Sequence, residues 1–138
     1  MSRSGYSDDG DGDGWSLIRW RGAVSSASRG RRGQSFFKEL LAALDEMPNK
    51  RLIADELIES GEVCAIGALG LKRSIDMKEI DPEDPDTVAN KFNIAPALAR
   101  EVVFMNDEGH WNTESPEERF VRVRSWVEEQ ILKEDDNG

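Results

Sequence analysis

The stretch SPEERFVRVRSWVEEQI, residues 115–131, holds the strongest helix signal in the chain and decides the fold class. Ser115 can cap a helix, Pro116 suits its first turn, and Glu118 follows the cap by three residues, as in a capping box. One apolar stripe then recurs at helical spacing, made by Phe120, Val123, Val127 and Ile131. We therefore predict an amphipathic helix that begins at Ser115 and packs on a helical core.

The same periodicity recurs on the N-terminal side of this stretch. It predicts a helix capped by Ser16 that ends near Gly30, a second from Ser35 to Pro48, and a third from Asn49 to Gly61. Two more helices are predicted to start at Asp84–Pro85 and at Pro96, because proline loses no hydrogen bond in a first turn.

The run from Glu62 to Leu71 fits two structures. Its nine consecutive apolar or small residues suit either a buried strand or a buried helix. We favour a helix, because its alanines and glycines are weak strand formers and allow a packed neighbour to approach closely. A short strand or hairpin near 62–71 is the alternative, and it would make the fold α+β.

Together these elements predict an all-α fold, a compact single-domain bundle of six or seven helices over residues 15–133. The Gly- and Asp-rich residues 1–14 and the polar residues 134–138 are expected to be disordered tails. Cys64, the only cysteine, lies in an apolar run and is expected to be buried. Without a membrane-length apolar segment or the apolar core of a signal peptide, we expect a soluble, cytoplasmic protein.

Charge is distributed unevenly along the chain. Residues 15–34 hold five arginines and no acidic residue, although the formal net charge of the chain is −10. The candidate binding residues are Trp15, Arg19, Arg21, Arg29, Arg31 and Arg32. Guanidinium groups bind phosphate and indoles stack on bases, but residues 35–138 carry 24 acidic and 12 basic residues. We therefore expect these arginines to pair with the chain's own acids or with a protein partner rather than with nucleic acid.

Residues 87–103 approximate the spacing of a helix-turn-helix, with Asn93 where glycine usually makes the turn. The second helix offers only Arg100 as a basic side chain, and Asp107 and Glu108 follow it. A helix that reads a DNA groove needs donors for phosphate and base edges. An ordinary helical hairpin is the preferred interpretation, and a degenerate DNA-reading motif is the alternative.

Metal binding and catalysis find little support in the sequence. Asp9, Asp11 and Asp13 resemble the start of an EF-hand loop, but Trp20 occupies the twelfth position, where a bidentate glutamate is needed. His110 is the only histidine, and no orienting partner or pocket is evident for it. We expect no metal, no cofactor and no enzymatic activity.

Five segments of the chain resemble a group of small uncharacterised proteins encoded by bacteriophages and prophages. They are Ile18 to Val24, Arg29 to Gln34, Glu39 to Asp45, Gly61 to Ala65, and Asn106 to Glu108. The resemblance covers residues 15–131. It implies a phage origin and a soluble cytoplasmic product of unassigned function, and it carries over no catalytic residues.

Binding is therefore the predicted mode of action. The first hypothesis is a phage accessory protein whose acidic surface engages a host or phage protein, and so modulates a protein that handles nucleic acid. The alternative is a nucleic-acid-binding protein that uses the arginine-rich residues 15–34.

Overall fold

The computed structural model of the chain describes residues 14–54, 56–77, 80–81, 84–107 and 114–132, and for residues 14–20 it describes the helical backbone alone. The elements in these residues are α1 (Gly14–Arg29), α2 (Arg31–Glu46), β1 (Ile58–Glu59), β2 (Glu62–Val63), α3 (Ala65–Lys72), α4 (Pro85–Phe92), α5 (Pro96–Asp107) and α6 (Pro116–Gln130). The predicted all-α fold is confirmed, with a two-stranded hairpin added to it. Except for Gly14, which begins α1, the two predicted tails lie outside the described residues.

The hairpin stands where the third helix was predicted, and that prediction is wrong. β1 and β2 pair antiparallel through a turn in which Ser60 has φ 52° and Gly61 has φ 82°. Two consecutive left-handed residues suit a tight hairpin turn. Leu52 and Ile53 precede it without helical structure, and their amides donate to Pro116 O at 3.0 Å and to Val63 O at 2.9 Å. Long-range backbone pairing therefore replaces the helical bonds that the apolar spacing predicted.

The ambiguous run at 62–71 contains both of the structures considered for it. β2 ends at Val63, and α3 then begins at Ala65, with the Cys64 Sγ accepting the Gly67 amide at 3.3 Å. Cys64 is buried, as predicted. A Cβ on Gly67 would lie 2.0 Å from Leu57 O, so glycine is needed where the hairpin crosses α3.

Two predicted helix starts are confirmed with their caps. The Ser115 Oγ accepts the Glu118 amide at 3.0 Å, and the Glu118 Oε1 accepts the Ser115 amide at 2.9 Å, which completes the capping box before α6. Asp84 caps α4 in the predicted way. α2 instead begins at Arg31, four residues before the predicted Ser35, because the turn at Gly30 is short.

The core lies between α2, α3, α5 and α6. Its largest fully buried side chains are Phe36, Phe37, Leu40, Leu44, Leu52, Ile66, Leu69, Val88, Phe92, Leu98, Val102 and Val123. α2 packs against α3 and α6, whereas α5 is contacted by α1, α3, α4 and α6. In the described part of the chain, no helix has the length and apolar character that crossing a membrane requires.

Candidate binding surface at the junction of α1 and α2

The corner between α1 and α2 is fixed by two glycines. Gly30 joins the helices in an extended conformation, with φ −69° and ψ 165°, and its amide donates to Ser26 O at 3.1 Å. A Cβ on Gly33 would lie 1.9 Å from the backbone oxygen of Ala27. Real side chains never approach a backbone oxygen so closely, so the crossing of α1 and α2 requires glycine at this position.

Gln34 fastens the same corner to the end of α6. Its side chain is buried, and Nε2 donates to Ser28 O at 2.7 Å and to Gln130 O at 2.9 Å. Its Oε1 accepts the Leu132 amide at 2.8 Å. One amide group thus joins α1, α2 and the end of α6, and it holds the corner in a single geometry.

The arginines of the corner, in contrast, have no partner that the structure describes. Arg21, Arg29, Arg31 and Arg32 are all exposed, and within the described ranges none of them forms an ion pair or hydrogen bond. We name these four residues the arginine surface. The in-chain pairing expected for them is thus not seen among the described residues.

Arginines elsewhere in the fold form ion pairs with carboxylates of the same chain. Arg73 binds both oxygens of Glu39, at 3.0 and 2.9 Å, and this hydrogen bonding lowers the pKa of Glu39 below its ordinary value. Arg124 binds Asp45 at 2.6 Å and lowers the pKa of that carboxyl in the same way. The chain therefore does pair arginines with its own acids, but it does so away from the corner.

For the other predicted residues of this site, the structure describes the backbone but not the side chain. Trp15 and Arg19 lie on α1, but their side chains fall outside the described part. Between the arginines, every exposed described residue is small, namely Gly22, Ala23, Ser25, Ser26, Gly30 and Ser35. Arg21 and Arg29 stand two turns apart on α1, about 12 Å along its axis, with Ser25 between them.

The first turn of α2 carries charges of the opposite sign to those usually found at a helix N-terminus. Gly30 supplies no side-chain cap, the first turn has no acidic residue, and Arg31 and Arg32 occupy it. The positive end of a helix dipole favours anions and disfavours cations. α4 and α6 have acids in their first turns, whereas Arg31 and Arg32 in the first turn of α2 are locally unfavourable for folding. Arg29, in the last turn of α1, is favoured by the dipole of that helix.

The helix-turn-helix alternative has the expected backbone but lacks an accessible reading helix. Asn93 adopts the left-handed conformation, with φ 57° and ψ 50°, and forms the turn between α4 and α5. All twelve residues of α5 are described, and Pro96 is its one exposed residue. Because α1, α3, α4 and α6 cover α5, this helix presents no face to a DNA groove.

A buried polar cluster at the end of α5 is not indicated by the sequence pattern. Asn106 lies in α5 and is 1% exposed. Its Oδ1 accepts the Ala65 amide at 3.0 Å, and its Nδ2 donates to Ile53 O at 2.8 Å. Arg119 and Arg122 donate to the backbone oxygen of Asn106. These bonds join α3, α5, α6 and the segment before the hairpin, so the cluster is structural.

A second surface feature is a groove of about 520 Å³, lined by both apolar and polar groups, between the end of α2, the hairpin and α3. The buried residues Ala43, Val63 and Ala68 line it, together with Met47 and with Leu71, which is 54% exposed. A groove of this volume suits a small ligand or the anchor side chain of a partner.

The charged side chains that line this groove are balanced in number, with Glu46 and Glu62 against Arg51 and Lys72. Glu46 pairs with Lys72 at 2.6 Å, and Arg51 pairs with Glu62 at 2.7 Å and with Glu117 at 3.5 Å. Glu59 stands opposite Glu62 in the hairpin, where like charges repel. We name the groove and these rim residues the acidic groove. Its excess of negative charge comes from Glu59, which is paired with Glu62 in the hairpin, and from Glu117, which pairs with Arg51; both lie beside the lining.

The remaining predicted sites cannot be placed. His110 and the Asp9, Asp11 and Asp13 series lie outside the described residues. Within the residues that are described, no group of three or more His, Cys, Asp or Glu side chains is arranged to hold a metal ion. Comparison of the chain with protein-family models, with curated proteins and with solved structures gives no match in any of the three.

Proposed function

We propose that the protein is a non-catalytic phage accessory protein that acts in the host cytoplasm by binding a host or phage protein through its acidic surface. One observation carries the proposal. Among the described residues beyond the arginine surface, exposed acids outnumber exposed bases: Asp45, Glu46, Glu56, Glu59, Asp76, Asp81, Asp86, Glu117, Glu118, Glu128 and Glu129 against Lys38, Lys50, Lys72 and Lys91. Such an excess attracts a basic partner and raises its rate of association.

The acidic groove is the proposed point of contact. Protein interfaces gain most of their binding energy from a few apolar or aromatic anchors inside a polar rim. The apolar lining and the exposed Leu71 offer the place for such an anchor, and the acidic rim suits lysines or arginines that flank it. A basic site of this kind is what a nucleic-acid-handling protein presents, which fits the phage origin implied by the five resembling segments.

A pull-down from lysate of phage-infected cells tests the proposal. The tagged full chain is incubated with lysate with and without nuclease, and bound proteins are identified by mass spectrometry. We expect capture of a basic protein that resists nuclease and weakens as salt rises, because the attraction between surface charges is screened.

Leu71→Asp and Val121→Asp form the matched pair of variants. Both side chains are largely exposed, at 54% and 65%, so neither change should unfold the chain. Leu71 lines the acidic groove, whereas Val121 lies on the exposed face of α6. Capture should fall at least tenfold for Leu71→Asp and stay unchanged for Val121→Asp. Equal capture of the basic protein by both variants, or the absence of a nuclease-resistant partner, would contradict the proposal.

A further inference from the structure

The corner of α1 and α2 divides its residues into two groups. Gly30, Gly33 and Gln34 build the corner through close backbone approach and buried hydrogen bonds. Arg29, Arg31 and Arg32 are interspersed with them in sequence, but their side chains are exposed and form no ion pair or hydrogen bond among the described residues. Since two arginines in a first turn oppose the helix dipole, folding alone does not explain them. A local charge conflict of this kind is expected at functional sites.

The residues around the arginines distinguish between kinds of anionic partner. Protein interfaces have apolar or aromatic cores, yet no exposed residue between Arg21 and Ser35 has a large apolar side chain. Leu132, whose amide donates to Gln34, is the single exposed large apolar side chain described next to this segment, at the end of α6. Arginine, serine and backbone amides are the groups that contact phosphates in complexes with nucleic acids. Ser25, Ser26 and Ser35 lie among the arginines and supply hydroxyl donors.

We propose that the arginine surface binds the phosphodiester backbone of double-stranded nucleic acid without reading its sequence. A duplex carries one negative charge per about 1.7 Å of its axis, a higher density than a single strand offers. Single-strand binding also depends on aromatic side chains that stack on bases, and none of residues 21–35, all of which are described, is aromatic. The side chains of Trp15 and Trp20 lie outside the described part. α5, the reading helix of the helix-turn-helix alternative, is covered by α1, α3, α4 and α6, so we assign no sequence reading to it.

The net charge of −10 weakens this binding but does not prevent it. The Debye length is about 10 Å at 0.1 M salt, so exposed acids farther than this from the phosphates act little on them. No acidic residue occurs in sequence between Trp15 and Lys38. Gln34 does join the corner to the end of α6, where Glu128 and Glu129 are exposed, and these two acids lower the affinity.

Fluorescence anisotropy with the purified full chain and labelled 30-base-pair DNA or RNA duplexes tests the proposal. We expect low-micromolar binding at about 50 mM salt. If the four arginines each neutralise one phosphate, log K should fall with log salt with a slope of about −3.6, which weakens binding roughly 100-fold between 50 and 200 mM salt. Binding to either duplex supports the proposal, since the backbone chemistry is shared.

Arg31→Ala/Arg32→Ala should flatten that slope by about 1.8 units. The variant should fold normally by circular dichroism, because it removes cations from the positive end of α2. Lys91→Ala is the control: Lys91 is exposed on α4, and removing its charge should leave the slope unchanged.

Three outcomes would overturn the proposal. They are duplex binding that Arg31→Ala/Arg32→Ala leaves unaltered, tighter binding to a 30-nucleotide single strand, and equally tight binding to a polyglutamate peptide. The last would assign the arginine surface to an acidic protein segment. All three are read from the purified chain alone, so they are independent of whether the acidic groove captures a protein.

Discussion

Replacement of Gly33 by alanine places a methyl group where α1 crosses α2. The new Cβ would lie 1.9 Å from Ala27 O, 2.9 Å from Ala27 C and 3.1 Å from Ser28 O. All three atoms belong to the backbone, so no side-chain rotation can relieve the overlap. The two helices must separate, and the hydrogen bond from Gln34 Nε2 to Ser28 O must lengthen or break with them.

Two effects of opposite sign determine how much Gly33→Ala changes the free energy of unfolding. Alanine is favoured over glycine by about 1 kcal/mol inside a helix. Overpacking against a rigid neighbour costs about 3 kcal/mol, the upper end of the usual range. The free energy of unfolding should therefore fall by about 2 kcal/mol, which corresponds to roughly 8 °C in Tm for a domain of this size.

Gly22→Ala is the matched control. Gly22 lies on α1, and a Cβ there would meet nothing within 4 Å. This variant should be stabilised by about 0.5–1 kcal/mol, because only the helix propensity changes. Urea denaturation followed by circular dichroism measures both variants. If Gly33→Ala proves as stable as Gly22→Ala, the close crossing of α1 and α2 is not the native geometry.

The remaining predictions concern caps, buried polar groups and pH. Ser115→Ala should cost about 1 kcal/mol by removing the acceptor of a first-turn amide, and an unchanged urea midpoint would mean that α6 starts elsewhere. Asn106→Ala should cost about 2–4 kcal/mol, since a buried amide and a buried carbonyl lose their partner; a loss below 1 kcal/mol would show that water replaces the side chain. Because Arg73 lowers the pKa of Glu39, the folded state binds that proton less readily than the unfolded state, and stability should decline as the pH falls below about 4.5. Glu39→Gln should remove part of this decline in thermal melts from pH 6 to pH 3, and an identical decline would argue against the pair.

The helical fold could be predicted because local signals agreed with the tertiary structure. At α6, the cap, the proline and the apolar stripe all indicate one start, and Phe120, Val123 and Val127 are buried. At α4, Asp84 followed by Pro85 has the same effect. Such signals depend on residues within one turn of each other, so a sequence displays them directly.

The hairpin could not be predicted in the same way, because distant partners determine it. The amide of Leu52 bonds to Pro116, and that of Ile53 bonds to Val63. Nothing near Leu52 in sequence indicates these acceptors, and its apolar spacing with Leu57 suits a helix equally well. Asn106 was missed for the same reason, since its partners Ala65 and Ile53 lie 41 and 53 residues away.

The residues of the candidate site could be chosen from the sequence, but their arrangement in space could not. Segregation of Arg29, Arg31 and Arg32 from the acids is visible in the sequence. That these arginines form no described ion pair with the chain's own acids, whereas Arg73 and Arg124 do, depends on three-dimensional distances. The acidic groove brings together three separate segments, and no local motif could indicate it.

The most direct test of the account is a heteronuclear NMR titration of the isotope-labelled full chain with a 30-base-pair duplex at about 50 mM salt. If the arginine surface is the contact, amide shifts should change from Arg21 to Ser35 and remain constant in the hairpin and in α4. Shifts centred on the turn at Asn93 and on α5, or no shift at any residue while the duplex is in excess, would contradict it.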